Sequence, residues 1–137
     1  MIDLRLCIDV DDLEKAVAFY QQALGLTTGR RFGDDMVEML GAAVPIDLLR
    51  KPAGSPASDA APNALRGYGR HWTPLHLDVV VDQLEPAIDR ARRAGAVLDR
   101  AIQEAKWGRM AQMADPFGHG FCLVQFLGRG YDELVSP

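Results

Sequence analysis

The chain has 137 residues, of which 48% are hydrophobic and 25% are charged, and its formal net charge at pH 7 is −4. This composition is typical of one packed domain, excludes a mainly disordered chain, and lacks the basic surface that nucleic acids and anionic membranes require. No apolar run approaches the roughly 20 residues of a membrane span, and the acidic start does not resemble a signal peptide. Two cysteines are too few for a disulfide framework. We therefore expect a cytoplasmic protein with no nucleic-acid or membrane partner.

The first part of the chain predicts a strand, a helix and three short strands. Residues 4–10 alternate apolar and polar side chains, which is typical of a half-buried strand. Asp11 and Glu14 form a capping-box pattern that predicts a helix with Asp11 as its N-cap, and Gly25 predicts the end of this helix. Short strands are then predicted at about 26–32, 35–40 and 44–50.

The middle of the chain, about residues 53–71, is rich in Pro, Gly, Ala and Ser. This composition predicts a linker or mobile loop without regular elements. After it, residues 75–81 alternate like residues 4–10, and Asp82 with Glu85 predicts a second capped helix. Further strands are predicted at about 97–103, 108–114 and 119–127, followed by a short turn or helical segment in the tail, 129–137.

The two parts repeat each other when Arg5 is aligned with His76. Identical residues concentrate at apolar and capping positions: Leu6, Val10, Asp11, Leu13, Glu14, Ala16 and Ala23 recur as Leu77, Val81, Asp82, Leu84, Glu85, Ala87 and Ala94. The repeat predicts an α+β protein of two tandem βαβββ modules in a single domain, 1–137, with Leu13 and Leu84 facing the sheets. Module one spans about 1–52 and module two about 72–128.

Tandem modules with these motifs resemble the vicinal oxygen chelate superfamily, which includes glyoxalase I, extradiol dioxygenases, and the fosfomycin and bleomycin resistance proteins. The resemblance rests on "DLEKAVAFYQQALGL" at 12–26, "HLDVVVD" at 76–82 and "DPFGHGFCLVQF" at 115–126. It implies a cupped, barrel-like mixed sheet with the helices on the outside. The same fold hosts many chemistries, so the motifs identify the superfamily rather than one activity.

Metal-dependent members of the superfamily hold a divalent ion with four side chains, from the first and last strands of each module. The resemblance places these positions at Arg5, Asp47, His76 and Cys122. Arg5 cannot ligate, because a guanidinium offers no lone pair and stays protonated. If one divalent metal such as Zn, Ni or Fe is bound, its expected ligands are therefore His76, Asp47 and Cys122, with the charge of Arg5 opposing the ion.

Three metal-free interpretations of these positions remain open. In the first, the residues satisfy one another as a purely structural patch, with Arg5 paired to Asp47. In the second, Cys122 is a nucleophile and the neighbouring His76 is its base. In the third, which we favour, the concave side of the sheet is a pocket for a small organic molecule. Its predicted ligand-binding residues are Arg5, Asp47, His76, Cys122, Trp107 and Phe126.

We therefore expect a small-molecule-binding protein of the glyoxalase/bleomycin-resistance fold that needs no metal cofactor. One alternative is a metal-dependent enzyme of glyoxalase or dioxygenase type, acting as a lyase, isomerase or oxygenase. Another is a structural or partner-binding domain with no ligand. The resemblance also implies a homodimer, because each module leaves one sheet face open.

Overall fold

The structure, a computed structural model, describes residues 1–136. It divides the chain into two units, Met1–Gly69 and the residues from Arg70 onward. Pro137, the last residue of the predicted tail, lies outside the described residues. Each unit contains one strand–helix–strand module, so the predicted α+β fold of two tandem modules is confirmed.

Unit 1 is a βαβββ module followed by a hairpin. Its helix and its first four strands are β1 (Leu6–Val10), α1 (Leu13–Leu24), β2 (Thr27–Phe32), β3 (Met36–Leu40) and β4 (Ile46–Arg50). These strands form a mixed sheet in the order β1-β4-β3-β2, in which β1 runs parallel to β4 and the other pairs are antiparallel. This order places the first and last strands of the module side by side.

The expectation that residues 53–71 lack regular elements is wrong. They contain a two-stranded antiparallel hairpin of β5 (Pro56–Ser58) and β6 (Ala61–Leu65), and every residue of both strands is exposed. Because neither face is buried, the hairpin has no apolar alternation that could predict it. Arg66 anchors it, since its Nε donates to Asp9 Oδ2 at 2.7 Å and its Nη1 donates to the Pro56 carbonyl at 2.7 Å.

Unit 2 repeats the module with a more irregular sheet. Its elements are β7 (Leu77–Val80), α2 (Leu84–Ala94), β8 (Val97–Leu98), β9 (Gln103–Ala105), β10 (Gly108–Ala114), β11 (Gly120–Phe126) and a short 3-10 helix (Gly130–Leu134). The strand order is β7-β11-β10-β8, with β9 also paired to β10 and β7 parallel to β11.

The strand predicted at 97–103 is two short strands. Leu98 pairs with Met113 and Gln103 pairs with Met110, so the four residues between Leu98 and Gln103 lie opposite only two residues of β10. The surplus residues cannot join the ladder, and the strand is interrupted there.

Both helices pack an apolar face on the sheet of their own module. Leu13 of α1 is 5% exposed and Leu84 of α2 is fully buried, as the repeat predicts. The largest fully buried side chains in the two cores are Phe19, Met39, Leu48, Leu84, Met113, Phe117 and Leu123. Of the helices within residues 1–136, none combines the length and apolar character needed to span a membrane.

The predicted N-caps are wrong by one residue in both modules. Helix α1 is capped by Asp12, whose side chain accepts a hydrogen bond from the Lys15 backbone N–H at 3.0 Å. This spacing is the one by which a cap side chain reaches the third helical N–H. The N-cap of α2 is Gln83, which makes no side-chain cap bond, and the Leu84 N–H instead donates to Gln125 Oε1 at 3.0 Å.

Candidate functional site

One side of the unit 1 sheet carries a row of polar residues. Strand register places Cys7 of β1, Asp47 of β4 and Glu38 of β3 side by side. Arg5 precedes β1 and, by strand alternation, shares this side. The residues on the other side are apolar and form the core beneath α1. We call Arg5, Arg30, Glu38 and Asp47 the arginine–carboxylate cluster.

Arg5 and Asp47 form a bidentate ion pair. Arg5 Nε donates to Asp47 Oδ2 at 2.8 Å, and Arg5 Nη2 donates to Asp47 Oδ1 at 2.7 Å. Asp47 is 4% exposed, so the guanidinium supplies the partner that a buried carboxylate needs. Hydrogen bonds to Asp47 and Glu38 raise the pKa of Arg5 above its ordinary value. The pairing that the sequence predicts is therefore present, and both oxygens of Asp47 are engaged.

Glu38 and Arg30 extend this pair, although the sequence analysis assigned neither a role. Arg5 Nη2 and Arg30 Nη2 both donate to Glu38 Oε2, at 2.5 Å and 2.7 Å, and Arg30 Nε donates to Glu38 Oε1 at 3.1 Å. The hydrogen bonds from Arg30 and then from Arg5 lower the pKa of Glu38 to about 2. Glu38 is therefore a carboxylate at neutral pH with both oxygens occupied, which makes it a poor general base.

The backbone around Gly29 makes room for this carboxylate. A Cβ at Gly29 would lie 2.7 Å from Glu38 Oε1, which is closer than real Cβ contacts come. The ladder between β2 and β3 shifts register between Thr28 and Arg31. Inside this irregularity the Arg30 backbone N–H donates to Glu38 Oε1 at 3.3 Å. The bulge and the missing side chain thus position the cluster.

In unit 2, three side chains with lone pairs converge on the equivalent side of the sheet. Cys122 of β11 pairs in register with Asp78 of β7, and His76 directly precedes β7. One ligand atom from each residue lies within 4.8 Å of the others, and His76 Nε2 is 3.1 Å from Asp78 Oδ1. The predicted proximity of His76 and Cys122 is confirmed, with Asp78 as an additional member.

The Cys122 thiol is held in its protonated form. Burial raises its pKa to about 11, and the charge of Asp78 and a hydrogen bond to Asp78 act in the same direction. Since the thiolate is the nucleophile, this environment opposes the interpretation of Cys122 as a catalytic nucleophile. The carboxylate of Asp78 contacts both the thiol and the imidazole of His76, so it does not sit behind the imidazole as the orienting member of a triad does.

The two predicted aromatic residues lie together with a third. Trp107 and Phe126 have ring centroids 6.1 Å apart, and Tyr131 of the 3-10 helix lies 5.1 Å from Trp107 and 4.7 Å from Phe126. Phe126 is 38% exposed and Tyr131 is 50% exposed. We call these three residues the aromatic cluster, and its exposed ring surface can stack against a planar molecule.

The residues of unit 1 do not fit the metal site of the superfamily. Arg5, which the resemblance places at a ligand position, has no lone pair to offer, and it holds both oxygens of Asp47. In unit 2, His76, Asp78 and Cys122 offer nitrogen, oxygen and sulfur donors at suitable separations, but Cys122 would have to lose its proton to ligate. The ion pair of Arg5 and Asp47 is therefore incompatible with a four-ligand metal site of the family type.

Comparisons with known proteins agree with this fold. The family described as a glyoxalase-like domain matches residues 5–124. An uncharacterised protein from Mycobacterium bovis is 32% identical over 124 residues, which cover 85% of this chain and 78% of that protein.

Two solved structures show how the fold is used elsewhere. A glyoxalase/bleomycin resistance protein/dioxygenase family enzyme from Burkholderia phytofirmans has a TM-score of 0.72 at 21% identity, covering 92% of this chain and 100% of that one. TnmS3, an antibiotic-binding protein from a Streptomyces species, has a TM-score of 0.63 at 23% identity, covering 93% of this chain and 97% of that one. The match to residues 5–124 and the shared architecture confirm the resemblance seen in the sequence, and the chain belongs to the glyoxalase-like domain family of the vicinal oxygen chelate superfamily.

Proposed function

We propose that this protein binds a small organic molecule on the polar face of a module's sheet and uses no metal cofactor. The observation that carries the proposal is the bidentate pair of Arg5 and Asp47, because it places a permanent cation where the metal-dependent members have a ligand. A divalent ion would have to displace that cation from Asp47, and the Arg5 charge would oppose it at short range.

Each unit, taken by itself, offers further features that suit ligand binding. The arginine–carboxylate cluster offers hydrogen-bond donors on unit 1, and His76 with Asp78 offers exposed polar atoms on unit 2. The aromatic cluster supplies apolar ring surface. A few polar groups beside apolar surface are the usual composition of a small-molecule site. TnmS3, an antibiotic-binding protein of the same fold, supports small-molecule binding by this fold.

A metal-dependent enzyme is the second candidate, and the group of His76, Asp78 and Cys122 favours it. In that case the ion would polarise substrate oxygens, as in the enzymes of the superfamily. Metal analysis of the purified protein separates the two candidates. We expect far less than one equivalent of zinc, nickel or iron, and a full equivalent that is lost in His76→Ala would favour the enzyme.

Ligand binding can be followed through tryptophan fluorescence, because the chain contains two tryptophans and Trp72 is 84% exposed. In a Trp72→Phe background, Trp107 alone reports on the aromatic cluster. We expect quenching or a spectral shift from some members of a panel of planar natural products and antibiotics, with saturation. The matched variant Trp107→Phe, which keeps Trp72, should show no saturable change. A panel without any saturable response would contradict the proposal.

We further propose that the protein is a cytoplasmic homodimer. Free Cys7 and Cys122 suit a reducing compartment, and members of the superfamily pair modules to cover open sheet faces. Sedimentation at micromolar concentrations should give twice the 15.0 kDa mass of the chain. The monomer mass throughout that range would contradict the dimer.

A further inference from the structure

We propose that the arginine–carboxylate cluster of unit 1 is an oxyanion subsite, which takes a carboxylate, phosphate or phosphonate group of a molecule bound on this unit. This inference rests on the proposed small-molecule binding and specifies the chemistry of the ligand. It also adds Arg30 and Glu38 to the residues that determine specificity.

The first argument is which charges of the cluster reach solvent. The side chains of Glu38 and Asp47 are each 6% exposed, whereas those of Arg5 and Arg30 are 40% and 67% exposed. The two carboxylates are therefore buried beneath the two guanidiniums, which lie at the solvent-exposed surface of the cluster. A molecule that approaches this face meets N–H donors first, although the formal charges of the four residues balance.

The second argument is the count of donors and acceptors. All four carboxylate oxygens accept hydrogen bonds from the two arginines. Within residues 1–136, the Nη1 groups of Arg5 and Arg30 have no hydrogen-bond partner, and each carries two N–H donors. The Nη2 atoms of both guanidiniums lie within 2.7 Å of one oxygen, Glu38 Oε2, so the two guanidiniums are neighbours. The cluster thus has unused N–H donors on two neighbouring guanidiniums, whereas each of its carboxylate oxygens already accepts a hydrogen bond.

The third argument is that the arrangement is fixed before a ligand arrives. Arg30 is held by Glu38 on one side, and its guanidinium carbon lies 6.0 Å from the centroid of the Phe32 ring. Glu38 is held by Arg5, by Arg30 and by the backbone at the bulge beside Gly29. Donors that are already ordered cost little conformational entropy on binding.

These features select among ligand charges. An oxyanion forms an ion pair with the guanidiniums in addition to hydrogen bonds, whereas a neutral carbonyl offers hydrogen bonds alone, and the planar or tetrahedral oxygens of an oxyanion match the guanidinium geometry. A cationic ligand would meet the guanidiniums before it met the carboxylates. Because the charges of the cluster balance, the preference comes from short contacts rather than from a long-range field.

The test is isothermal titration calorimetry with benzoate, phenylphosphonate and the neutral benzamide. We expect the two anions to bind at least about tenfold more tightly than benzamide, because only the anions form ion pairs with the guanidiniums. Arg30→Gln should weaken both anions about tenfold and leave benzamide unchanged. Arg30→Lys should restore part of the loss, because it keeps the charge without the fork. The matched control is Arg50→Gln on β4, whose arginine pairs with Asp35 and lies outside the cluster.

The outcomes separate this inference from the proposed function. Equal binding of benzoate and benzamide, or equal losses in Arg30→Gln and Arg50→Gln, would overturn the oxyanion subsite and leave small-molecule binding intact. If none of the three probes binds but a neutral compound changes the Trp107 fluorescence, the oxyanion subsite would also be overturned and small-molecule binding would stand. Failure in both experiments would overturn both proposals. Circular dichroism of each variant confirms that a lost signal is not a lost fold.

Discussion

The Cys122 thiol should react far more slowly with alkylating reagents than an ordinary thiol. Its pKa is raised to about 11 by burial and by Asp78, whereas an unperturbed thiol titrates at about 8.5. At pH 8 about one Cys122 side chain in a thousand would be a thiolate, against about a quarter of ordinary thiols. Ionisation alone therefore predicts a rate about two hundredfold lower. Cys122 is also 6% exposed, which slows the reagent further.

The assay uses two variants that each keep one thiol, Cys7→Ser and Cys122→Ser. Cys7 is exposed, and its rate in Cys122→Ser serves as the reference. Iodoacetamide is added at pH 8, and intact mass spectrometry follows the alkylated fraction. The Cys122 rate should rise about tenfold per pH unit until the pH approaches its pKa. Asp78→Asn should accelerate the reaction, because it removes a charge that raises that pKa. In concentrated urea the two thiols should react at similar rates.

An opposite result would revive the nucleophile interpretation. If Cys122 is alkylated at pH 7 as fast as Cys7, or faster, then the thiol is activated and the argument from burial fails. If His76→Ala then lowered the alkylation rate of Cys122, the imidazole of His76 would be identified as the base.

Leu13→Ala and Leu84→Ala should each lower the free energy of unfolding in urea by about 2–5 kcal/mol, because both side chains are buried; losses below about 0.5 kcal/mol at both sites would contradict the assigned helix faces. Glu38→Gln should flatten the loss of stability on acidification. Because folding lowers the pKa of Glu38 from 4.5 to about 2, its ion pairs stabilise the folded state fully at any pH above 4.5, and this stabilisation is lost as the pH falls towards about 2. An acid-unfolding curve that is unchanged in Glu38→Gln would argue against the cluster. Arg5→His removes the opposing charge and supplies a ligand, so zinc binding by calorimetry should rise from undetectable; no rise would show that Arg5 is not what excludes the metal.

The sequence predicted those elements whose residues repeat with a clear period. The alternation at residues 4–10 and the helical spacing after it report directly on which faces are buried, so both helices and the strands of both modules other than the one predicted at 97–103 were found. The hairpin of β5 and β6 has no buried face and left no such signal. The N-cap of α1 was misplaced because acidic residues stand at two adjacent positions, Asp11 and Asp12, and spacing alone does not choose between them. In α2 the N-cap Gln83 makes no side-chain cap bond, and the bond from the Leu84 N–H to Gln125 is a tertiary contact that spacing does not show.

The candidate site was predicted where strand neighbours follow from the fold family. Arg5 beside Asp47 and His76 beside Cys122 follow from the pairing of first and last strands. Predicting the role of Glu38 requires the register of β3 against β4, and predicting that of Arg30 requires the bulge in β2. Both are tertiary features. A charged residue between the apolar Val37 and Met39 was the available signal for Glu38, since a carboxylate inside a buried strand needs a partner.

The helix caps bear on the order in which the modules form during synthesis. Helix α1 obtains its cap from Asp12, three residues from the N–H that it satisfies, so its first turn can be completed as soon as that segment has left the ribosome. The first N–H of α2 is satisfied by Gln125, 41 residues further along the chain. This hydrogen bond can therefore form only after β11 has been made, and contacts of such long range form late. The two modules thus differ in when the hydrogen bond at the start of the helix can form. In α1 it depends on a residue of the same segment, and in α2 it depends on the last strand to be translated.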